Sequence, residues 1–200
     1  MRWHKFISTI LHPVLMPTIG VLIYFLISPM RVTALQQIYL LSIVFIATYA
    51  IPILLLFFLK SVNKIESFEV RTIQERKIPM FSMMCIFLLL GRFFYKFSSV
   101  RELSYLFFGT LLGLIIVYFI FFTKTKTSLH LLSIGSAVGF FIVYQQINNV
   151  MLLPLIVVFI LLSGFLGTSR LYLKAHTPKE VYLGFLIGVT SQLVMYYVLQ

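Results

Sequence analysis

The sequence predicts an all-α protein, a polytopic bundle of transmembrane helices that forms a single domain over residues 1–200. Hydrophobic residues make up 60% of the chain and charged residues only 10%, whereas soluble domains carry about 25% charged residues. A soluble chain of this length has too small an interior to hide so much apolar surface from water. Strands are not expected, because the apolar runs lack the alternation of a membrane barrel and an open sheet edge cannot be satisfied in lipid.

Apolar runs define the predicted membrane spans. About 20 helical residues cross a hydrocarbon layer of about 30 Å, and seven runs reach or approach that length. They are Leu11–Ser28, Ile38–Leu59, Ile78–Phe94, Leu103–Phe122, His130–Ile147, Val150–Ser169 and Val181–Leu199. Six to seven spans are therefore expected, and the two within residues 1–60 carry no recognisable motif. Glycines four residues apart, Gly135 with Gly139 and Gly184 with Gly188, predict close approach of helices.

Basic residues gather on one side of the predicted bundle. With seven crossings, the N-terminus and the segments 60–77, 123–129 and 170–179 share a side with twelve lysines and arginines, against four on the other side. The positive-inside rule places the richer side in the cytoplasm. The net charge of +11 does not predict nucleic-acid binding, because the cations flank apolar runs and form no continuous patch. Anionic lipid headgroups are the predicted partners.

A polar cluster separates the last two apolar runs and contains Ser169, Arg170, His176 and Glu180. Such groups are costly at the edge of the hydrocarbon layer, so their presence there predicts a functional site. Further polar residues on the same side lie before the third run and at the start of the fifth: Arg71, Arg76, Lys77, Ser128 and His130. The predicted topology brings all of them to one membrane face, as a single active site requires.

Residues 169–184 resemble the third signature of the type 2 phosphatidic acid phosphatase superfamily, the membrane histidine phosphatases related to vanadium haloperoxidases. The match consists of Ser-Arg, then His after five residues, then Glu after three more, followed by Gly184. Glu180 stands where the family usually has aspartate. The resemblance implies a helical membrane enzyme that needs no metal ion or other cofactor.

The two earlier signatures of this family are present in variant form. Residues 127–130 read Thr-Ser-Leu-His, where the second signature is normally Pro-Ser-Gly-His. The first signature joins basic residues to a proline, and here residues 71–79 contain Arg76 and Pro79 with two residues between them. The resemblance thus covers residues 71–184, with two spans between successive signatures as in the family.

The resemblance also implies catalytic roles. His176 would be the nucleophile that forms a phosphohistidine, with its second ring nitrogen held by Glu180. His130 would protonate the leaving oxygen and later activate water, a role that suits a group titrating near neutrality. His4 and His12 have no acidic neighbour in the sequence and are assigned no role.

Basic side chains would form the phosphate-binding part of the same site. Guanidinium groups bind phosphoryl oxygens and stabilise the charge of the transferring group. Arg170 and Arg76 are the main candidates, assisted by Arg71 or Lys77. Ser128 could donate a hydroxyl hydrogen bond to a phosphoryl oxygen.

Each of these residues also has a simpler interpretation. Thr177 to Glu180 reads as a capping box at the start of the last helix, and this role is compatible with holding a histidine. Arg170 alone is typical of a topology determinant or lipid anchor, and His130 alone of a polar helix end. Ser128 is typical of a helix N-cap. The joint pattern favours the functional interpretation.

The function that the resemblance implies is hydrolysis of a lipid phosphomonoester or diphosphate. Phosphatidate, phosphatidylglycerol phosphate, an isoprenyl diphosphate and a glycolipid phosphate are all compatible with it, their chains entering laterally between helices. The alternative is a catalytically silent relative that binds anionic headgroups as a scaffold or transport component. A small transporter is disfavoured, because no charged residue lies at mid-membrane depth. The expected location is a bacterial inner (plasma) membrane; the charge bias favours a cytoplasmic site, whereas enzymes of this family often act at the outer face.

Overall fold

The structure is a computed structural model that describes residues 2–28, 32–68, 70 and 72–199. The described residues form helices and no strand, which confirms the all-α class. The α-helices are α1 (Arg2–Ile10), α2 (Met16–Ile27), α3 (Ala34–Phe45), α4 (Ile51–Ser61), α5 (Ile73–Tyr95), α6 (Leu103–Ile120), α7 (Leu129–Asn148), α8 (Leu153–Tyr172) and α9 (Pro178–Leu199).

Six helical segments of the described chain are long and apolar enough to cross a membrane. The first is the continuous 28-residue helix Ala34–Ser61, in which the π-helical turn Ile46–Ala50 joins α3 to α4. The other five contain α5, α6, α7, α8 and α9. Their bounds agree with the predicted runs to within a few residues. The polytopic bundle is therefore confirmed, and the six spans are consistent with an integral membrane protein.

The first predicted span, Leu11–Ser28, is not one continuous helix in the structure. Helix α1 ends at Ile10, and α2 begins at Met16 with Pro17 in its first turn. A proline fits the first turn of a helix, where its missing N–H needs no partner, but not the interior. The 12 residues of α2 extend over about 18 Å, which is less than the hydrocarbon layer of about 30 Å.

Helix α2 nevertheless connects the two ends of the bundle. Its first residue, Met16, lines a cavity together with His130 and His176, at what we call the site end. Near its other end, the Tyr24 hydroxyl donates a hydrogen bond of 2.7 Å to Glu102, which directly precedes α6. Through α2 the chain therefore passes from the site end of the bundle to the opposite end, where α3 begins. The starts of α5, α7 and α9 all lie at the site end.

Helix α7 lies at the centre of the bundle, and a larger share of it is buried than of any other span in the described chain. It packs against α9 through glycines on both helices. A Cβ atom at Gly135 would overlap the main-chain oxygen of Phe185, and one at Gly188 would overlap that of Leu132. The predicted close approach is therefore confirmed, and it places the two helix starts that carry His130 and Glu180 side by side.

Candidate active site

His176 and Glu180 form a hydrogen-bonded pair at the start of α9. The Nδ1 atom of the buried His176 ring lies 2.9 Å from Oε2 of Glu180. The same carboxylate oxygen accepts the Thr177 main-chain N–H at 3.1 Å, and the Thr177 hydroxyl accepts the Glu180 N–H at 3.4 Å. This is the reciprocal geometry of a capping box. Glu180 therefore caps the helix and orients the histidine at the same time.

The surroundings of His176 favour its neutral form. Burial lowers the pKa of the imidazole, since the protonated ring would lose its hydration. The positive charges of Arg170 and Arg76 act in the same direction, while the hydrogen bond to Glu180 opposes them, and the resulting pKa is about 4. At neutral pH the ring is thus uncharged, with Nδ1–H donated to the carboxylate and the lone pair on Nε2.

A cavity of about 190 Å³ opens beside His176 and collects polar side chains from five segments of the chain. They are His12 between α1 and α2, Arg76 on α5, His130 on α7, Arg170 at the end of α8, and His176 between α8 and α9. Four of these five were predicted from the sequence. The structure therefore brings residues from the three polar segments of the sequence, around Arg76, His130 and His176, to one cavity.

The two arginines make this part of the cavity electropositive. The Arg76 Nε–H donates a hydrogen bond of 2.9 Å to the main-chain oxygen of Val70, which orients the guanidinium. Arg170 Nη1 lies 3.5 Å from the Ser8 hydroxyl, a long hydrogen bond. Two planar guanidinium groups facing one cavity suit an anion with several oxygen acceptors, such as a phosphoryl group.

The N-terminal segment closes one side of the site, which the sequence did not predict. His130 Nε2 lies 3.2 Å from the main-chain oxygen of Ser8 and donates to it. The ring of His12 meets the His130 ring edge to face, with centroids 5.1 Å apart. Burial, followed by the charge of Arg170, lowers the pKa of His12. Its Nδ1 accepts the Val14 main-chain N–H at a long 3.5 Å, which leaves the proton of the neutral ring on Nε2.

Helix α1 is held over the site by contacts with α8. His4 Nδ1 donates to the Ser169 hydroxyl at 3.1 Å, because that hydroxyl itself donates to Phe165 O. The His4 ring also stacks on Tyr172, with centroids 4.1 Å apart. The sequence carried one signal for these contacts, since the predicted topology places His4 and the signatures on the same membrane side. Which residue of α1 reaches the site depends on packing.

Two predicted phosphate-binding residues, Ser128 and Lys77, lie outside the cavity lining. Ser128 is fully buried as the N-cap of α7, where its hydroxyl accepts the Leu131 N–H at 3.5 Å. Lys77 lines a separate pocket with Lys124, because adjacent residues of a helix point about 100° apart and Arg76 already faces the cavity. Arg71 lies outside the described residues.

The cavity continues from the polar cluster into the apolar interior of the bundle. Helices α2, α4, α5, α6 and α7 all contribute to this part of the wall. Its α5 face runs from Pro79 at one end to Phe87 at the other. The cavity thus has a cationic end at the membrane edge and a hydrocarbon end within the span.

A metal site has little support among the described residues. No group of three or more His, Cys, Asp or Glu side chains in that part of the chain is arranged to hold a metal ion. The full sequence contains no aspartate, and the polar end of the cavity combines arginines with imidazoles. The positive charge of Arg76 and Arg170 favours an anionic ligand over a metal ion.

Comparisons with known proteins leave the site to be interpreted from its own geometry. No protein-family model, curated protein or solved structure matches the chain. The interpretation of the cavity therefore depends on which side chains meet there, on their charges and on their hydrogen bonds.

Proposed function

We propose that this protein is a membrane lipid phosphatase, which hydrolyses a phosphomonoester or diphosphate of a lipid through a phosphohistidine intermediate. The observation that supports it best is the 2.9 Å hydrogen bond between His176 and Glu180, at a cavity that also contains two arginines and His130. A carboxylate that holds one nitrogen of a neutral imidazole leaves the other nitrogen as a nucleophile. The apolar end of the same cavity suits the lipid part of the substrate.

In the first step, the phosphoryl group binds between Arg76 and Arg170, and His176 Nε2 attacks phosphorus. The N–P bond forms while the bond between phosphorus and the lipid oxygen breaks, and His130 gives its proton to that oxygen. The guanidinium groups stabilise the charge on the phosphoryl oxygens during the transfer.

In the second step, water replaces the histidine on phosphorus. His130, now neutral, accepts a proton from the attacking water, the new O–P bond forms and the N–P bond breaks. Inorganic phosphate leaves, His176 returns to its neutral state, and His130 is again protonated. The products are a lipid alcohol and phosphate for a monoester, or a lipid monophosphate and phosphate for a diphosphate.

The experiment is phosphate release by the purified protein from a panel of lipid phosphates, with and without a chelator. We expect release in both conditions and its loss in His176→Ala. The matched control is Lys179→Ala, an exposed cation three residues away. Rapid quenching should trap an acid-labile phosphoprotein in the wild type and none in His176→Ala. Release that persists in His176→Ala contradicts the proposal.

A catalytically silent lipid-binding protein is the second candidate. One observation favours it: the Ser128 hydroxyl caps α7 and does not line the cavity, so the second signature contributes only His130 to the site. Such a protein would bind lipid phosphates to Arg76 and Arg170 without releasing phosphate. Binding of a lipid phosphate that is lost in Arg170→Gln, with no phosphate released by the wild type, would favour this candidate.

For the location, we propose a bacterial inner membrane with the site end on the cytoplasmic side. Without the four candidate ligands Arg71, Arg76, Lys77 and Arg170, the basic residues still number eight against four. The test is a cysteine at Lys64, in the α4–α5 connection, introduced into a Cys85→Ser background. An impermeant thiol reagent should label it only after the cells are permeabilised. Labelling in intact cells reverses the orientation.

A further inference from the structure

The apolar part of the cavity is a defined chamber inside the bundle. We call it the chain chamber, and its wall includes Met80, Met83, Phe87, Leu106, Leu114 and Ala137. The three α5 residues lie on one helix face, at intervals of three and four residues, and face α6 and α7 across the chamber. Because Arg76 is on the same face of α5, the chamber adjoins the cationic end of the cavity and extends from it into the bundle.

The chain chamber is long and narrow. Arg76 and Phe87 are 11 positions apart on α5, which corresponds to about 16 Å along the helix axis. The whole cavity has a volume of only about 190 Å³, whereas pockets for drug-sized ligands usually hold about 300–1,000 Å³. For comparison, an engineered protein cavity of about 150 Å³ holds one benzene molecule. These dimensions suit a single hydrocarbon chain and not two side by side.

Three hydroxyl groups line the cavity; those of Thr110 and Ser133 are satisfied by main-chain oxygens, whereas the buried Ser136 Oγ has no hydrogen-bond partner among the described residues. Thr110 Oγ1 donates to Leu106 O at 2.7 Å, and Ser133 Oγ donates to His130 O at 2.9 Å. These hydroxyls therefore need no partner from a ligand, and their helices present a largely apolar wall. A hydrocarbon chain can replace water here without leaving these polar groups unpaired.

Helix α4 forms the side of the chamber through which a chain can enter from the bilayer. Pro52, Leu55 and Leu56 line the cavity, while Leu54 and Phe57 on the same helix are exposed to lipid. Helix α4 belongs to the span Ala34–Ser61, which is the least buried of the six candidate spans. This peripheral helix therefore separates the chamber from the bilayer.

We infer that the chain chamber binds one hydrocarbon chain and that the substrate is a single-chain lipid phosphate or diphosphate, an inference that rests on the proposed phosphatase function. The phosphate lies between the arginines, and the chain extends along α5 towards Phe87 and Leu106. These two residues limit the chain length that is fully bound. Each buried methylene adds on the order of fourfold to affinity, so binding should increase with chain length and then reach a plateau.

The first experiment measures kcat/KM for homologous monoalkyl phosphates, isoprenyl phosphates and diacyl phosphatidates in detergent micelles. The single-chain substrates should be preferred at least tenfold, with a plateau in chain length. Ala137→Met fills the chamber and should move the plateau to shorter chains, whereas Phe87→Ala should move it to longer ones. Leu89→Ala, on the lipid-facing side of α5, is the matched control. The monoalkyl and isoprenyl series separate the two kinds of single chain.

The outcomes distinguish this inference from the proposed function. Two results together overturn the chain chamber and leave the phosphatase proposal intact. In the first, diacyl and single-chain substrates are hydrolysed with equal kcat/KM. In the second, Ala137→Met, Phe87→Ala and the Leu89→Ala control all reach the plateau at the same chain length. If no lipid phosphate is hydrolysed, the phosphatase proposal fails. The chamber is then tested by photocrosslinking with a single-chain alkyl phosphonate that carries a diazirine on its chain.

The photocrosslinking experiment needs no catalysis. Crosslinks should map to the α5 segment between Met80 and Phe87, and an unlabelled monoalkyl phosphonate should compete more strongly than a dialkyl one. Crosslinks confined to lipid-facing residues such as Leu89, or equal competition by the two phosphonates, overturn the inference.

Discussion

The main-chain N–H of Ser128 donates a hydrogen bond of 3.2 Å to the main-chain oxygen of Glu180. This bond joins the start of α7 to the start of α9, two helices whose glycines already hold them in contact. His130 follows Ser128 by two residues and Glu180 orients His176, so the bond joins the two helix starts beside which the histidines of the proposed mechanism lie. Ser128 thus joins the two helix starts through its main chain.

The carboxylate of Glu180 should matter more to activity than to folding. Glutamine also completes a capping box, so Glu180→Gln should keep the thermal midpoint within a few degrees of the wild type. The neutral amide has no negative charge to stabilise the positive imidazolium of the phosphohistidine, however, and kcat should fall on the order of 10²- to 10⁴-fold, as when the carboxylate of a Ser-His-Asp triad is neutralised. Glu180→Asp should retain part of the activity. Equal kcat values for Glu180→Gln and the wild type would exclude the orienting role.

The neighbours Arg76 and Lys77 provide a matched pair, since both are basic and only Arg76 faces the cavity. Arg76→Gln should lower kcat/KM on the order of 100-fold, because the phosphoryl group loses a guanidinium donor. Lys77→Gln should change it less than threefold. Phosphate release at equal expression and equal thermal midpoint is the measurement. The reverse order of effects would mean that α5 is rotated in the active protein.

The low pKa of His176 predicts that its ring stays reactive in mild acid. With a pKa of about 4, the imidazole is neutral down to about pH 4, whereas an ordinary histidine protonates near pH 6.5. The rate of His176 acylation by diethyl pyrocarbonate, followed by mass spectrometry, should therefore fall only as the pH drops through about 4. Since Glu180 raises this pKa, Glu180→Gln should move the fall to still lower pH. A midpoint near 6.5 would mean that the ring is solvated.

His12 should act by packing against His130 as well as by its own polarity. His12→Ala removes the ring that meets His130 edge to face, and misplacement of a catalytic group lowers the rate. We expect kcat/KM to fall on the order of tenfold. His12→Phe keeps an aromatic ring, so recovery of activity in this variant indicates packing and continued loss indicates a role for the imidazole nitrogens. Full activity in both variants would place His12 outside the working site.

The contact between α7 and α9 should be the most sensitive place for stability. Gly188→Ala places a Cβ atom against the main-chain oxygen of Leu132, and the helices must separate to admit it. Overpacking of this kind costs about 1–3 kcal/mol, so the thermal midpoint in detergent should fall by several degrees. Gly164→Ala is the control, because its Cβ atom meets no atom within 4 Å. Equal midpoints for the two variants would contradict the close packing.

The sequence alone predicted the elements that depend on composition and on local order. The apolar runs predicted the spans that contain α5 to α9, because a helix in lipid must be long, apolar and internally hydrogen-bonded. The polar residues between the runs predicted that the site residues gather at one end of the bundle. The hydrogen bond between His176 and Glu180 was also predictable, since residues four apart on a helix start can meet.

Only the tertiary structure decided which side chains share the cavity. The choice of Arg76 over Lys77 depends on how α5 is rotated against its neighbours, and the use of the Ser128 hydroxyl as a cap depends on where α7 begins. The contacts of Ser8 and His12 with His130 span more than 100 residues of sequence, so no local pattern encodes them. Hydropathy specifies that a helix is in the membrane, but the rotation and pairing of helices follow from side-chain packing across the whole bundle.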